Sequence, residues 1–166
     1  MHNQHAIVST RLGDLTLVAS GNAVIGVYFP HHWVKPTTAT LGEQTTNDPL
    51  LTDAARQLDQ YFAGERDTFD LPIERRGGDA FQQQVWALLD EIPRGETTTY
   101  GELAERLGDR QLAQLVGKAV GSNPLSVIVP CHRVVGKNGK LTGYAGGLQR
   151  KQFLLDLEEA APARLF

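Results

Sequence analysis

The spacing of apolar residues changes character at Gly77-Gly78, and that change points to a two-part α/β chain. Before it, Ala6 to Thr10, Leu15 to Ala19 and Val24 to Phe29 are rich in Val, Ile, Leu and Tyr. Gly13-Asp14 and Gly21-Asn22 separate them, and both pairs tolerate the positive φ of tight turns. A small antiparallel meander is expected there. Residues 31 to 47 carry a proline, many threonines and little periodicity, so they read as loop, with the His31-His32 pair in solvent rather than on a metal. Asp48 and Pro49 open a helix that runs to about Phe62 and stops at Gly64. Asp67 to Arg75 reads as a further extended piece.

Beyond the glycine pair the period is helical. Phe81, Val85, Leu88, Leu89 and Ile92 share one helix face, which Pro93 ends. Thr99-Tyr100-Gly101-Glu102 has the form of a capping box and opens a short helix that Gly108 stops. Asp109 caps a second helix that ends near Gly121, with Leu112, Leu115, Val116 and Ala119 expected inward. Two short helices joined by a glycine turn resemble a helix-turn-helix. The expected fold is therefore α/β (α+β). Residues 1–78 form an N-terminal domain with an antiparallel sheet and a helix, and residues 79–166 form a mostly helical C-terminal domain.

Composition narrows the function. At 166 residues, 41% hydrophobic and 21% charged, the chain has the material for a proper core. No apolar run approaches the roughly 20 residues of a membrane helix. The start, Met1-His2-Asn3-Gln4-His5, lacks the pattern of a secretory signal, so the cytoplasm is the expected compartment. The net charge of -3 speaks against nucleic acid only as an average. From Arg110 to Leu155 the charged residues are Arg110, Lys118, Arg133, Lys137, Lys140, Arg150 and Lys151, with no Asp or Glu among them. Phosphate binding depends on local charge, and such a segment on an acidic body is a footprint for it.

The single cysteine excludes an internal disulfide and a multi-thiolate metal site. It stands in Val127-Ile128-Val129-Pro130-Cys131-His132-Arg133-Val134, where a strand-like run enters a proline and three reactive side chains follow. A thiol reacts as thiolate, which neighbouring positive charge and histidine favour. Side chains adjacent on an extended chain diverge, so His132 reaches Cys131 only through a turn or a water. A buried cysteine acting as a small hydrophobe has no need of such neighbours.

Here the chain resembles the O6-alkylguanine-DNA alkyltransferases, the methylated-DNA–protein-cysteine methyltransferases. Pro130-Cys131-His132-Arg133 matches their active-site motif. The likeness continues through Phe81-Gln82-Gln83-Gln84-Val85-Trp86, Gly95 to Tyr100, Gly121-Ser122-Asn123-Pro124, Gly143 to Leu148 and Lys151 to Glu158. The resemblance implies that Cys131 accepts an alkyl group from O6 of guanine, or from O4 of thymine, once per molecule and without a cofactor or a metal. His132 would activate it through a water, Glu158 would hold His132, and Tyr100 would bond the flipped base and donate a proton to it. Backbone groups of Cys131, Val134 and Ala145 would read the guanine edge, Tyr144 would wall the pocket and Asn123 would brace the adjoining turn. Gln114, Gly117 and Arg133 would face DNA. The partner would be alkylated double-stranded DNA and not a membrane, bound by a monomer or by copies assembling cooperatively.

One position departs from that pattern. Most relatives place an arginine where Gln114 stands, to fill the gap left by the flipped base, and glutamine brings no cation there. Three other classes fit less well. A non-catalytic reader of alkylated bases has no use for Cys131. A helix-turn-helix regulator leaves Cys131, His132 and the Gly143 to Leu148 loop without purpose. A thiol hydrolase needs an oxyanion signature that does not accompany the cysteine.

Overall fold

The computed structural model describes residues 2–32 and 35–158, which gather into two compact units. The first comprises residues 1–76 with 124–128, the second residues 77–123 with 129–166. Among the described residues no helix is long and apolar enough to cross a membrane.

In the first unit, β1 (Asn3–Thr10), β2 (Gly13–Ser20) and β3 (Ala23–Tyr28) form the antiparallel meander. Their register runs from Thr10↔Gly13 at the first turn to Ser20↔Ala23 at the second. The expected extended piece appears as Ile73, which bridges to Val24; Val24 N donates to Pro72 O at 2.8 Å. Residues 35–47 carry more regular structure than their composition suggests. Thr37 caps a one-turn helix, α1 (Thr38–Leu41), and β4 (Glu43–Gln44) adds to β1 in parallel. The driving contact is apolar: Leu41 packs on the buried cluster Val18, Ile25 and Tyr28. The longer helix α2 (Pro49–Phe62) packs on β1, β2 and β3 through its buried Leu51, Ala54, Leu58, Tyr61 and Phe62. Asp48 caps it, accepting from Leu51 N at 3.0 Å.

Segment 124–128 belongs to this unit by hydrogen bonding. Val27 N donates to Pro124 O at 2.8 Å and Ser126 N to Val27 O at 3.3 Å. The run before Pro130 is thus not the strand its β-branched residues suggest. Ile128 N donates to Ser126 O at 2.8 Å across Val127, whose φ is 71°. A β-branched residue there is strained. The burial of Leu125 and Val127 outweighs local propensity.

In the second unit, α3 (Ala80–Leu89) starts at a complete capping box of Asp79 and Gln82. A two-stranded parallel sheet joins β5 (Thr98–Thr99) to β6 (Val134–Val135). Then α4 (Tyr100–Arg106) and α5 (Ala113–Gly121) pack on each other, and α3 packs on α5. Gly108, with φ 106°, turns the chain between α4 and α5, and Asp109 caps a 3-10 turn at Arg110–Leu112. The capping box at Thr99 is half formed. Thr99 accepts from Glu102 N at 3.1 Å, but the Glu102 carboxylate takes the hydroxyls of Thr98 and Thr99. Leu115, expected inward, is 52% exposed. The buried face of α5 is Val116, Ala119 and Val120 instead. The last described helix is α6 (Leu148–Leu157).

His32 is not the solvated residue its loop suggests. It is buried, its Nδ1 accepts from Phe29 N at 3.2 Å, and its ring stacks on Phe29. Burial pushes its pKa down to about 4 from 6.5. Unfolded chains therefore take up a proton that folded ones refuse, and His32 lowers stability progressively as the pH falls from 6.5 toward 4. In an NMR titration its ring should keep neutral-form shifts at about pH 5.5; protonation near the ordinary histidine value would contradict this.

Candidate active site

Every side chain of the site lies in the second unit. The β5–β6 pairing, Thr98↔Val134 and Thr99↔Val135, aligns the two stretches that carry Tyr100 and Cys131. Thr99 both ends β5 and caps α4, so Tyr100 is the first residue of α4. Cys131, His132 and Arg133 form one 3-10 turn, entered through a tight turn at Pro130 in which Cys131 N donates to Val129 O at 2.8 Å. Asn123 Nδ2 donates to the same carbonyl at 3.1 Å and braces this turn.

The turn sends the three side chains to different work. Arg133 is buried, and its guanidinium grips Glu158 from Nε to Oε1 at 2.9 Å and from Nη2 to Oε2 at 3.0 Å. Its Nη1 donates to Ile92 O at 2.7 Å. An arginine so engaged is not a surface cation for phosphate, so its place differs from the DNA-facing one the motif implied. His132 is fully buried with Nε2 2.8 Å from Glu158 Oε2. Burial pushes its pKa down, and the partly opposing pull of Glu158 does not restore it, so the ring is neutral. A neutral imidazole that donates Nε2–H to a carboxylate carries its lone pair on Nδ1. That Nδ1 is buried and pairs with no protein group among the described residues.

Burial by itself favours the neutral form of Glu158. The hydrogen bonds and charges of His132 and Arg133 outweigh it and hold the carboxyl well below the usual carboxylate range. Cys131 is the opposite case. Burial pushes its pKa up, and a hydrogen bond to Asn123, the charge of Lys151 and a hydrogen bond to Tyr144 only partly offset it. The sequence suggested a thiolate held by His132 and Arg133; in the fold both of those side chains bond Glu158, and burial favours the protonated form of the Cys131 thiol.

Tyr144 and Ala145 are buried next to this group, and the Tyr144 ring meets that of His132 edge-on at 6.4 Å. Val134 is buried in β6. Sequence reasoning assigned no role to Lys151, which is fully buried and donates to Thr142 O at 3.2 Å and Gly143 O at 3.4 Å. Burial pushes it down to about 8. Its signal was present: Lys151 shares a face with Leu154, Leu155 and Glu158, where a solvated lysine has no place. Gln114, Leu115 and Lys118 are exposed together on α5, while Gly117 is half-buried. A methyl group on Gly117 would lie 3.7 Å from the Tyr100 ring, an ordinary contact, so packing does not by itself demand glycine.

A buried cysteine beside a neutral, carboxylate-bound histidine, in a unit with an exposed helix-turn-helix face, defines a cysteine-dependent group-transfer protein. Residues 80–160 match the model of the 6-O-methylguanine DNA methyltransferase DNA-binding domain, and residues 4–75 that of its ribonuclease-like domain. A methylated-DNA–protein-cysteine methyltransferase of Methanosarcina acetivorans is 53% identical, over 93% of this chain and 97% of its own. That of Mycobacterium tuberculosis is 44% identical, over 95% and 94%. The crystal structure of Mycobacterium tuberculosis OGT in complex with DNA superposes with a TM-score of 0.82 at 42% identity, covering 98% of this chain and 97% of that one. The chain belongs to the methylated-DNA–protein-cysteine methyltransferase family.

Replacing Glu158 by Gln leaves Arg133 buried without a counter-charge, which should cost about 3–5 kcal/mol in urea unfolding. The sign with pH follows from the depressed carboxyl. Its stabilisation is present above the unfolded value of 4.5 and is lost as the pH falls below it. Glu158→Gln should abolish that part of the acid sensitivity.

Proposed function

We propose that this chain repairs DNA by one irreversible transfer per molecule, moving an alkyl group from O6 of guanine in duplex DNA to the sulfur of Cys131. Family membership carries the coarser statement: a methylated-DNA–[protein]-cysteine S-methyltransferase acting in DNA repair. The observation behind the finer one is that the buried Cys131 shares one turn with His132, whose Nε2 is held by Glu158 and whose buried Nδ1 has no protein partner among the described residues.

In this reading Nδ1 of His132 takes the thiol proton through a water, and the sulfur attacks the alkyl carbon. The carbon–O6 bond breaks with its electrons going to the purine, and Tyr100 supplies a proton to the leaving base. The thioether is stable and nothing regenerates the thiol, so each molecule acts once. Stacked duplex hides O6, so the nucleotide must be flipped out. Backbone groups of Cys131, Val134 and Ala145 would read its edge while Tyr144 closes the pocket. O4-alkylthymine carries the same kind of alkylated exocyclic oxygen and is a second substrate in this reading.

Residues 79–166 would serve as the DNA-binding and alkyl-acceptor domain, with the exposed α5 face in the groove. Gln114 would stand where the flipped base leaves a gap and Gly117 would allow close approach. The protein would act as a monomer. Its one catalytic thiol must stay reduced, which fits the cytoplasm.

Incubation with excess duplex bearing O6-methylguanine should add one methyl group to the Cys131 peptide by mass spectrometry, and Cys131→Ser should add none. An unmodified thiol would falsify the reading. Gln114→Arg should tighten duplex binding and speed transfer; no gain in either would remove the idea of a weakened finger.

A further inference from the structure

Tyr100 is the proton donor of the proposed transfer, and a phenol donates well only if its oxygen can bear the charge left behind. We infer that Thr142 is the positioning residue that equips Tyr100 for this step, an inference that rests on the proposed transfer. The Thr142 hydroxyl donates to Tyr100 Oη at 3.2 Å. With its oxygen already accepting that bond, the phenol keeps its own proton to give.

Thr142 is held on its other sides. Its carbonyl accepts from the buried Lys151 ammonium at 3.2 Å. Its methyl group packs where a side chain on Gly136 would collide, 2.7 Å from an ideal Cβ at that position. With the backbone fixed by Lys151 and the methyl by Gly136, the hydroxyl has one direction left, and it points at Tyr100. Burial raises the Tyr100 pKa, and the Thr142 bond is the interaction that pulls it back.

The atoms balance. Sulfur bonds to the alkyl carbon as the carbon–O6 bond breaks, the purine gains the Tyr100 proton, and the phenolate is stabilised by Thr142. The proton taken up by His132 then returns to Tyr100 by way of solvent. Lys151 faces the backbone of Thr142, and Cys131 is the ionisable group whose charge acts on Tyr100; neither residue is altered in a Thr142 variant.

The test compares single-turnover transfer from saturating O6-methylguanine duplex in the parent, Thr142→Val, Thr142→Ser, Tyr100→Phe and Tyr100→Phe/Thr142→Val. Losing a hydrogen bond to a developing anion should slow Thr142→Val by roughly tenfold at unchanged duplex affinity. Serine should restore the rate, and Thr142→Val should cost nothing further beside Tyr100→Phe. Equal rates for parent and Thr142→Val, or an equal loss in the Tyr100→Phe background, would overturn the inference. The ζ-carbon NMR resonance of Tyr100 without DNA separates the two levels. It should move in Thr142→Val and not in Thr142→Ser; an unmoved resonance sinks the Thr142 inference alone, while a parent that transfers nothing sinks the transfer.

Discussion

A buried carboxylate organises the second unit. Glu158, at the C-terminal end of α6, receives two bonds from Arg133 and one from His132, and Arg133 in turn holds the Ile92 carbonyl. Removing such charges from water costs several kcal/mol each, and only full pairing offsets it. The geometry is therefore close to all-or-none. If Glu158 moves, a guanidinium and an imidazole lose their partner at once. The turn of Cys131 to Arg133 is fixed between α6 and the end of α3 by side chains it supplies itself, so stability and tautomer depend on one group.

The Cys131 thiol of that turn is buried, and burial favours its protonated form. A thiolate in the open would meet oxidants and stray electrophiles, and under the proposed single transfer the protein could not spare its only thiol. In the proposed transfer burial would keep Cys131 inert until a proton acceptor and an electrophile are present together. The acceptor of that proposal, His132, is held by Glu158, which Arg133 helps to keep ionised. Lys151 adds a positive charge on the sulfur side and ties down the loop that carries Thr142 and Tyr144.

Much of this was legible in the sequence where local rules and tertiary packing agree. Asp48 and Thr99 cap the helices they announce, and the three-stranded meander follows its glycine turns, whereas Asp109 caps a 3-10 turn and α5 starts after Leu112 without a side-chain cap. Legibility fails where long-range packing decides. Nothing local marks Leu41 as the residue that draws residues 38–44 into a helix and a strand. The run Val127 to Val129 has strand propensity, yet hydrogen bonds to Val27 bend it through a positive φ. Leu115 sits at helical spacing from Leu112 but faces outward, because the periodic apolar stripe on α5 is carried by Val116, Ala119 and Val120. The proposed nucleophile Cys131, His132 and Glu158 come from a contiguous motif and a matched terminus. The role of Arg133 needed a fold, since adjacency to Cys131 suggests the wrong neighbour.

The same distinction changes what the charge pattern means for DNA. The stretch from Arg110 to Leu155 looks densely cationic, but a charge contributes to phosphate binding only if it is exposed and unengaged. Arg133 and Lys151 are buried and bonded internally, and Arg110 is paired with Glu105 at 2.6 Å. Arg150 is half-buried and donates to Gly146 O at 2.9 Å. Lys118, Lys137 and Lys140 remain exposed. The cations of this stretch that are exposed and unengaged are therefore fewer than its sequence suggests. In the proposed transfer, selection of a lesion would draw on the pocket, where a flipped base would meet Tyr100, Tyr144 and the Cys131 turn, more than on the electrostatics of the backbone.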